Sequence, residues 1–235
     1  MFSYYGSKSK IVYYYPPPKH KRIIEPFAGS ARYSLKYFDR DILLIDKYPI
    51  IIEIWHYLQN ASEFDILKLP KIQKGQKVSD FTLADIEVKF MGFLVQASQG
   101  QPRNSTGTLN GIDVERDLKR IAKNLFKIKH WVIKQGTYED LTNEEATWFI
   151  DPPYQFGGQY QYKHGSKQIN FTELSEWCRS RNGQAIVCEN TKADWMDFKP
   201  VKSLFGSNQT KTVEAIWSNH KTNYDNVQVS LFEGM

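Results

Sequence analysis

The 235-residue sequence predicts an α/β protein: an open, mixed sheet with helices on both faces and a small, mainly helical insertion. Three observations carry that expectation. Apolar runs of strand length recur at residues 22–27, 42–45, 131–136, 146–150 and 184–189, with helical patterning between several of them. The first run opens into the small-residue turn Ala28-Gly29-Ser30-Ala31 and the second ends in Asp46, the order of a nucleotide-type βαβ unit. Between residues 59 and 129 strand character disappears, and two helical candidates flank a polar loop. The chain therefore divides into a principal domain, residues 1–58 and 130–235, and an insert, residues 59–129.

The length suits one large domain with a substantial core. A formal charge of +5 and a pI near 9.0 favour a polyanionic partner. Cys178 and Cys188 have no ligand-like spacing to each other or to the five histidines, so neither a disulfide framework nor a metal site is expected, and a reducing cytoplasm fits. With no signal peptide and no apolar run of membrane length in view, no membrane partner is expected.

Taken in order, residues 2–10 form a glycine-centred turn carrying Lys8 between aromatics, either a frayed terminus or a lid over an anionic or aromatic ligand. The run Tyr13-Tyr14-Tyr15-Pro16-Pro17-Pro18 is extended, because each proline fixes its own φ and lacks an N–H. The basic residues 19–22 lead into the first strand. The small residues 28–31 let backbone N–H groups approach a ligand at the start of a helix running through Tyr33, Leu35 and Phe38. Asp46 follows Gly29 at close to the roughly 20-residue spacing at which a carboxylate meets ribose hydroxyls; a helix cap is the plainer alternative.

A helix is expected over 48–60, a lysine-rich linker over 69–77, and two helices over 82–98 and 113–129. The last carries Arg116, Lys119, Arg120, Lys123, Lys127 and Lys129. The loop between these helices, 99–111, is nearly devoid of apolar side chains. Its Gln99, Arg103 and Asn104 suit base edges and phosphates, with a plain connector as the alternative.

Strand character returns at 131–136, followed by Tyr138, Glu139 and Asp140. Past the buried run 146–150 comes Asp151-Pro152-Pro153-Tyr154, at a strand's carboxyl end, where open α/β sheets place their chemistry. The prolines hold Asp151 extended and keep the chain out of a helix, so a carboxylate, a fixed carbonyl and a ring stand side by side. Residues 155–167, with Lys163, His164 and Lys167, read either as a loop gripping nucleic acid or as a surface hairpin. A helix begins at 170–173, and 212–218 with 227–232 is expected to form a closing antiparallel pair.

In this order of motifs the chain resembles the alpha-class, Dam-like DNA adenine methyltransferases over most of its length. Tyr4-Tyr5-Gly6-Ser7-Lys8 is similar to that family's N-terminal cofactor motif, and Glu25-Pro26-Phe27-Ala28-Gly29-Ser30 to its main S-adenosylmethionine motif. Leu44-Ile45-Asp46 matches the ribose-binding acidic position, Tyr138-Glu139-Asp140 the acidic segment before the catalytic strand, and Asp151 to Tyr154 the catalytic tetrapeptide at all four positions. Ala31 departs from the pattern, standing where members often carry a second glycine. Residues 59–129 resemble the family's target-recognition region only weakly.

The resemblance implies a Rossmann-like, S-adenosylmethionine-dependent methyltransferase fold, and methyl transfer to the exocyclic amine of an adenine rotated out of double-stranded DNA. Asp151 and the Pro152 carbonyl are implied to accept hydrogen bonds from that amine, moving its nitrogen toward a tetrahedral, nucleophilic state, while Tyr154 stacks on the base. For the cofactor, the resemblance implies Asp46 on the ribose, Asp140 on the adenine amine, Glu25 and Lys8 at the methionine end and Tyr4 beside it. Tyr5, Gly6, Ser7, Phe27, Gly29, Ser30, Lys47, Tyr138 and Asp151 complete that site. DNA contacts are expected from Gln99, Arg103, Asn104, Lys163, His164 and Lys167, in a monomer or weak dimer in the cytoplasm of a bacterium or a phage's host. The same tetrapeptide suits RNA or a protein amide, and a silent DNA-binding protein would keep the fold; both stay as alternatives.

Overall fold

Seven strands form one sheet: β1 (Arg22–Glu25), β2 (Asp41–Asp46), β3 (Val132–Gln135), β4 (Ala146–Ile150), β5 (Gly183–Asn190), β6 (Lys199–Phe205) and β7 (Lys211–Ser218). Their order is β3-β2-β1-β4-β5-β7-β6. Strands β1 to β5 pair in parallel, and β7 runs antiparallel to both β5 and β6. The computed structural model describes residues 1–95, 100–105, 112–157, 162–205 and 211–224. A mixed seven-stranded sheet with one reversed strand and helices on both faces is the Rossmann-like α/β methyltransferase fold.

The helices are α1 (Arg32–Lys36), α2 (Pro49–Asn60), α3 (Glu63–Leu67), α4 (Asp85–Leu94), α5 (Val114–Ala122) and α6 (Phe171–Arg179). Strand alternation sorts the core into two clusters. Ile23, Leu44, Phe149 and Ile186 face one side and pack with residues of α1, α2, α4 and α5. Ile24, Leu43, Ile45, Trp148 and Val187 face the other and pack with Leu174 and Cys178 of α6. Every residue of β4 is buried, as the period-two pattern requires when both faces of a central strand are covered. Burying a ring such as Phe149 contributes on the order of 2–3 kcal/mol.

Among the described residues, the buried side chains of the insert share the interior of the principal domain. Ile66, Leu69, Phe90, Phe93 and Leu118 belong to the same cluster as Trp55. Phe2 joins the two regions, with ring centroids 5.3 Å from Trp55 and 5.8 Å from Phe93. The hydrophobic core thus runs across the expected boundary at residue 58.

Several elements are shorter than the sequence suggested. The helix expected over 82–98 is α4, opened where the Glu87 carboxylate accepts the Ala84 N–H at 3.0 Å. The helix expected over 113–129 is α5 followed by a 3-10 turn, Leu125–Ile128; it starts where Asp113 accepts the Arg116 N–H at 2.8 Å. The closing pair is corrected: β7 pairs with β5 and β6, while 227–232 lies outside the described residues. β6 went unread because Pro200 interrupts its pattern; proline is tolerated on an edge strand, and the register shifts there. Among the described residues no helix is long and apolar enough to cross a membrane.

Candidate active site

Connections leave β1 toward β2 and β3 on one side, while β4 and β5 lie on the other, so the sheet has a switch point between β1 and β4. A cavity of about 220 Å³ opens there, at the carboxyl ends carrying Glu25, Asp46 and Asp151. Its floor is the turn after β1. Gly29, at φ +44°, donates its N–H to Asp46 Oδ2 at 2.9 Å and receives Trp55 Nε1–H on its carbonyl at 2.9 Å. A Cβ at Gly29 would stand 3.0 Å from the Tyr4 ring. Asp46 Oδ1 accepts the Tyr48 N–H at 2.8 Å. Burial raises the Asp46 carboxyl above its ordinary value, opposed by these two N–H groups. Ala31 holds φ 45°, a left-handed conformation that costs a non-glycine residue roughly 1–2 kcal/mol.

The N-terminal segment forms a wall of this cavity. Arg32 donates to Ser7 Oγ at 2.9 Å and to the Phe2 carbonyl at 2.8 Å, and the Ser30 and Ser7 hydroxyls meet at 3.1 Å. Tyr5 and Tyr162 pack edge to face at 5.1 Å. Gly6 holds φ +73°, which explains glycine at this turn, and a Cβ there would also meet the Tyr162 hydroxyl. This fastening sends Lys8 inward.

There the Lys8 ammonium lies 3.0 Å from Asp151 Oδ1, 2.6 Å from the Tyr154 hydroxyl and 3.6 Å from Glu214 Oε1. Tyr154 and Tyr15 both donate to Glu214 Oε1. Burial pushes the Asp151 carboxyl up to about 6, with Lys8 pulling it down and Glu214 pushing it further up. Burial pulls Lys8 down, yet the Asp151 and Glu214 carboxylates outweigh it and hold the ammonium protonated. Burial raises Glu25 to about 8 despite the Ser34 N–H that it accepts at 2.6 Å. The residue after the tetrapeptide is held as well, since Gln155 N–H donates to Glu189, whose burial raises it to about 7.

The structure brings Tyr4, Tyr5, Gly6, Ser7, Lys8, Glu25, Phe27, Gly29, Ser30, Asp46, Lys47, Tyr138 and Asp151 around the one cavity. Asp140 is not brought to it: its carboxylate turns back on Thr137, accepting the N–H at 2.7 Å and the hydroxyl at 3.0 Å, while Glu139 lines the cavity. Pro152 is buried and lines neither this cavity nor the one beside it. Tyr154 faces a second cavity, of about 550 Å³, sharing Lys8 and Tyr162 with the first.

Of the expected DNA contacts, Arg103, Lys163 and Lys167 are exposed. His164 instead lines the first cavity, edge-on to Tyr48 at 6.2 Å. Asn104 hydrogen-bonds Ser79 through both ends of its amide, at 2.9 and 3.0 Å. Gln99 lies outside the described residues.

Sequence reasoning missed Glu214, Tyr15, Trp55 and Tyr162. One signal was present: Glu214 interrupts an apolar strand, and a charged residue in a buried strand is uncommon unless paired.

No family model and no curated protein sequence matches the chain. Among solved structures it is similar to a candidate methyltransferase, yhhF from Escherichia coli, with a TM-score of 0.32 and 9% identity, over 89% of this chain and 78% of that one. The fold assignment rests instead on strand order and direction, which make the carboxyl edge between β1 and β4 the place where this chain gathers its acidic, glycine-rich and aromatic residues.

Proposed function

We propose that the protein is an S-adenosylmethionine-dependent DNA methyltransferase of the Dam-like type, acting on the exocyclic amine of adenine. The observation that carries this reading is the placement of Asp151-Pro152-Pro153-Tyr154: Asp151 lines the cavity floored by the Gly29 turn, and Tyr154 lines the one beside it.

The first cavity's residues fit the cofactor. Gly29 leaves a cradle that a Cβ would fill, Asp46 keeps acceptor capacity beyond its two backbone N–H groups, and Glu25 lies where an ammonium group would ionise it. Tyr4, Phe27 and Tyr138 supply apolar walls. When bound, the cofactor supplies an electrophilic methyl group on a sulfonium.

The chain's own residues do the rest. Adenine's amine is a poor nucleophile because its lone pair is delocalised into the ring. Asp151, pushed up only to about 6, is ionised at neutral pH and accepts one N–H; the Pro152 carbonyl, fixed by the proline pair, accepts the other. Drawing both hydrogens out of conjugation localises the lone pair. The Tyr154 ring, anchored through its hydroxyl to Lys8 and Glu214, offers a flat surface to the base. The basic excess favours the polyanion.

The test is methyl transfer from labelled cofactor to duplex DNA, RNA and protein, with Asp151→Ala as control. Label in duplex adenine, lost in the variant, is the expected result; label confined to RNA or protein removes the DNA reading.

A further inference from the structure

We propose that Glu214 is a positioning residue of this site: it anchors the Tyr154 ring and gives the Lys8 ammonium a second carboxylate to move to when a substrate amine claims Asp151. The inference rests on the adenine methyltransferase reading for the identity of that amine. Its geometry stands without it.

Glu214 is 4% exposed, and its Oε1 is the meeting point of three side chains: the hydroxyls of Tyr154 and Tyr15 donate to it, and Lys8 Nζ lies 3.6 Å away. Lys8 in turn donates to the Tyr154 oxygen at 2.6 Å. The hydrogen bonds therefore run in one direction, from ammonium to phenol to carboxylate, and fix the phenol at both faces of its oxygen. A ring held in this way does not need the base to order it, which removes an entropic cost from the stacked complex.

The second part follows from competition. In this structure Asp151 Oδ1 is occupied by Lys8 at 3.0 Å. An amine arriving at Asp151 has to share that carboxylate with an ammonium, and a buried ammonium without a counter-charge is costly. Glu214 removes the conflict because it is already within ion-pair distance on the other side. Placement explains why it can: β7 runs antiparallel, so its early residue Glu214 pairs with Asn190 at the carboxyl end of β5, beside the tetrapeptide. The groups facing Asp151 are Lys8, Glu214, Tyr15, Tyr154, Tyr162 and Cys188. Glu25 also faces Asp151 across the cavity, but of these carboxylates Glu214 is the one that pairs with Lys8 beside Asp151.

The experiment compares wild type with Glu214→Gln, which keeps size and an acceptor oxygen but loses the charge. Asp151 is followed by carbon-detected NMR titration, with Asp151→Asn for assignment, and turnover is measured with labelled cofactor and duplex DNA. Without Glu214's charge Lys8 has one carboxylate left, so the Asp151 titration moves to lower pH, kcat falls by roughly tenfold or more, and cofactor affinity stays within about threefold. An Asp151 titration and a kcat both unchanged, in a variant that melts like wild type, overturn the proposal. Should Glu214→Gln unfold, Glu214→Asp replaces it, keeping the charge but withdrawing it; kcat unchanged there overturns it too. Failure of the methyltransferase reading would look different: wild type would label no substrate, while the NMR titration would still decide whether Glu214 shares Lys8 with Asp151.

Discussion

Lys8 Nζ sits 3.0 Å from Asp151 Oδ1, pairing the N-terminal turn with the tetrapeptide that follows the central strand, both side chains largely withdrawn from water. The pair joins the two cavities, since Lys8 lines each of them. It makes the site's charge balance a property of residues far apart in the chain.

Replacing Lys8 with Met should therefore leave the Asp151 and Glu214 carboxylates facing each other without a cation. Breaking a buried pair in this way costs about 3 kcal/mol at pH 7, read by urea unfolding. The loss shrinks at pH 5, where one carboxyl takes a proton. A loss equal at both pH values would show that Lys8 contributes packing alone.

Asp151→Ala should lower methyl transfer by roughly a hundredfold or more while leaving cofactor binding by calorimetry nearly unchanged. Unchanged turnover would falsify the role assigned to the carboxylate.

Stability should fall as pH rises from about 4 to 8. Burial raises Glu25 from 4.5 to about 8, Glu189 from 4.5 to about 7 and Asp151 from 3.8 to about 6. In those windows the folded chain keeps protons that the unfolded chain has lost, so each group's contribution is fullest below its unfolded value and declines up to its folded one. Scanning calorimetry should give a lower Tm at pH 8 than at pH 5.5, and Glu25→Gln should flatten the upper part. A Tm that rises across this range contradicts the assignment.

Gly29→Ala should weaken cofactor binding at least tenfold and cost about 1–3 kcal/mol, because φ +44° is strained for alanine and the added carbon meets Tyr4. Ala31→Gly should change stability by less than about 1 kcal/mol, relief of the left-handed conformation offsetting the freedom gained by the unfolded chain. Thermal melts and calorimetric titration read both.

At the insert, Arg103→Ala should weaken DNA binding or relax sequence preference with little effect on Tm, since the side chain is exposed. Asn104→Ala should lower stability by about 1 kcal/mol through its lost bonds to Ser79. Identical binding curves for Arg103→Ala and wild type would return this loop to a connector.

The parallel core was legible because strands such as Ala146–Ile150 and Asp41–Asp46 announce themselves locally, and their carboxyl ends carry the residues that matter. The turns at Gly6 and Gly29 were legible for the same reason, whereas the positive φ of Gly183 at the start of β5 was not. What could not be read was pairing. Glu214 reaches Tyr154 only because β7 inserts between β5 and β6 in the reverse direction, and no local pattern encodes that neighbour. Asp140 shows the opposite failure: a motif position was matched, but a short turn let Thr137 claim the carboxylate first. The strand at 199–205 was hidden by Pro200, whose cost on an edge is small.

The reversed strand also sets a schedule. During synthesis the N-terminal turn, the βαβ unit and the tetrapeptide all leave the ribosome before residue 211, so a nascent chain holds Lys8, Asp151 and Tyr154 without the carboxylate that fixes them. Completion of the site is thus deferred until β7 has been made, and a chain cut short before β7 would have the tetrapeptide but not the arrangement around it.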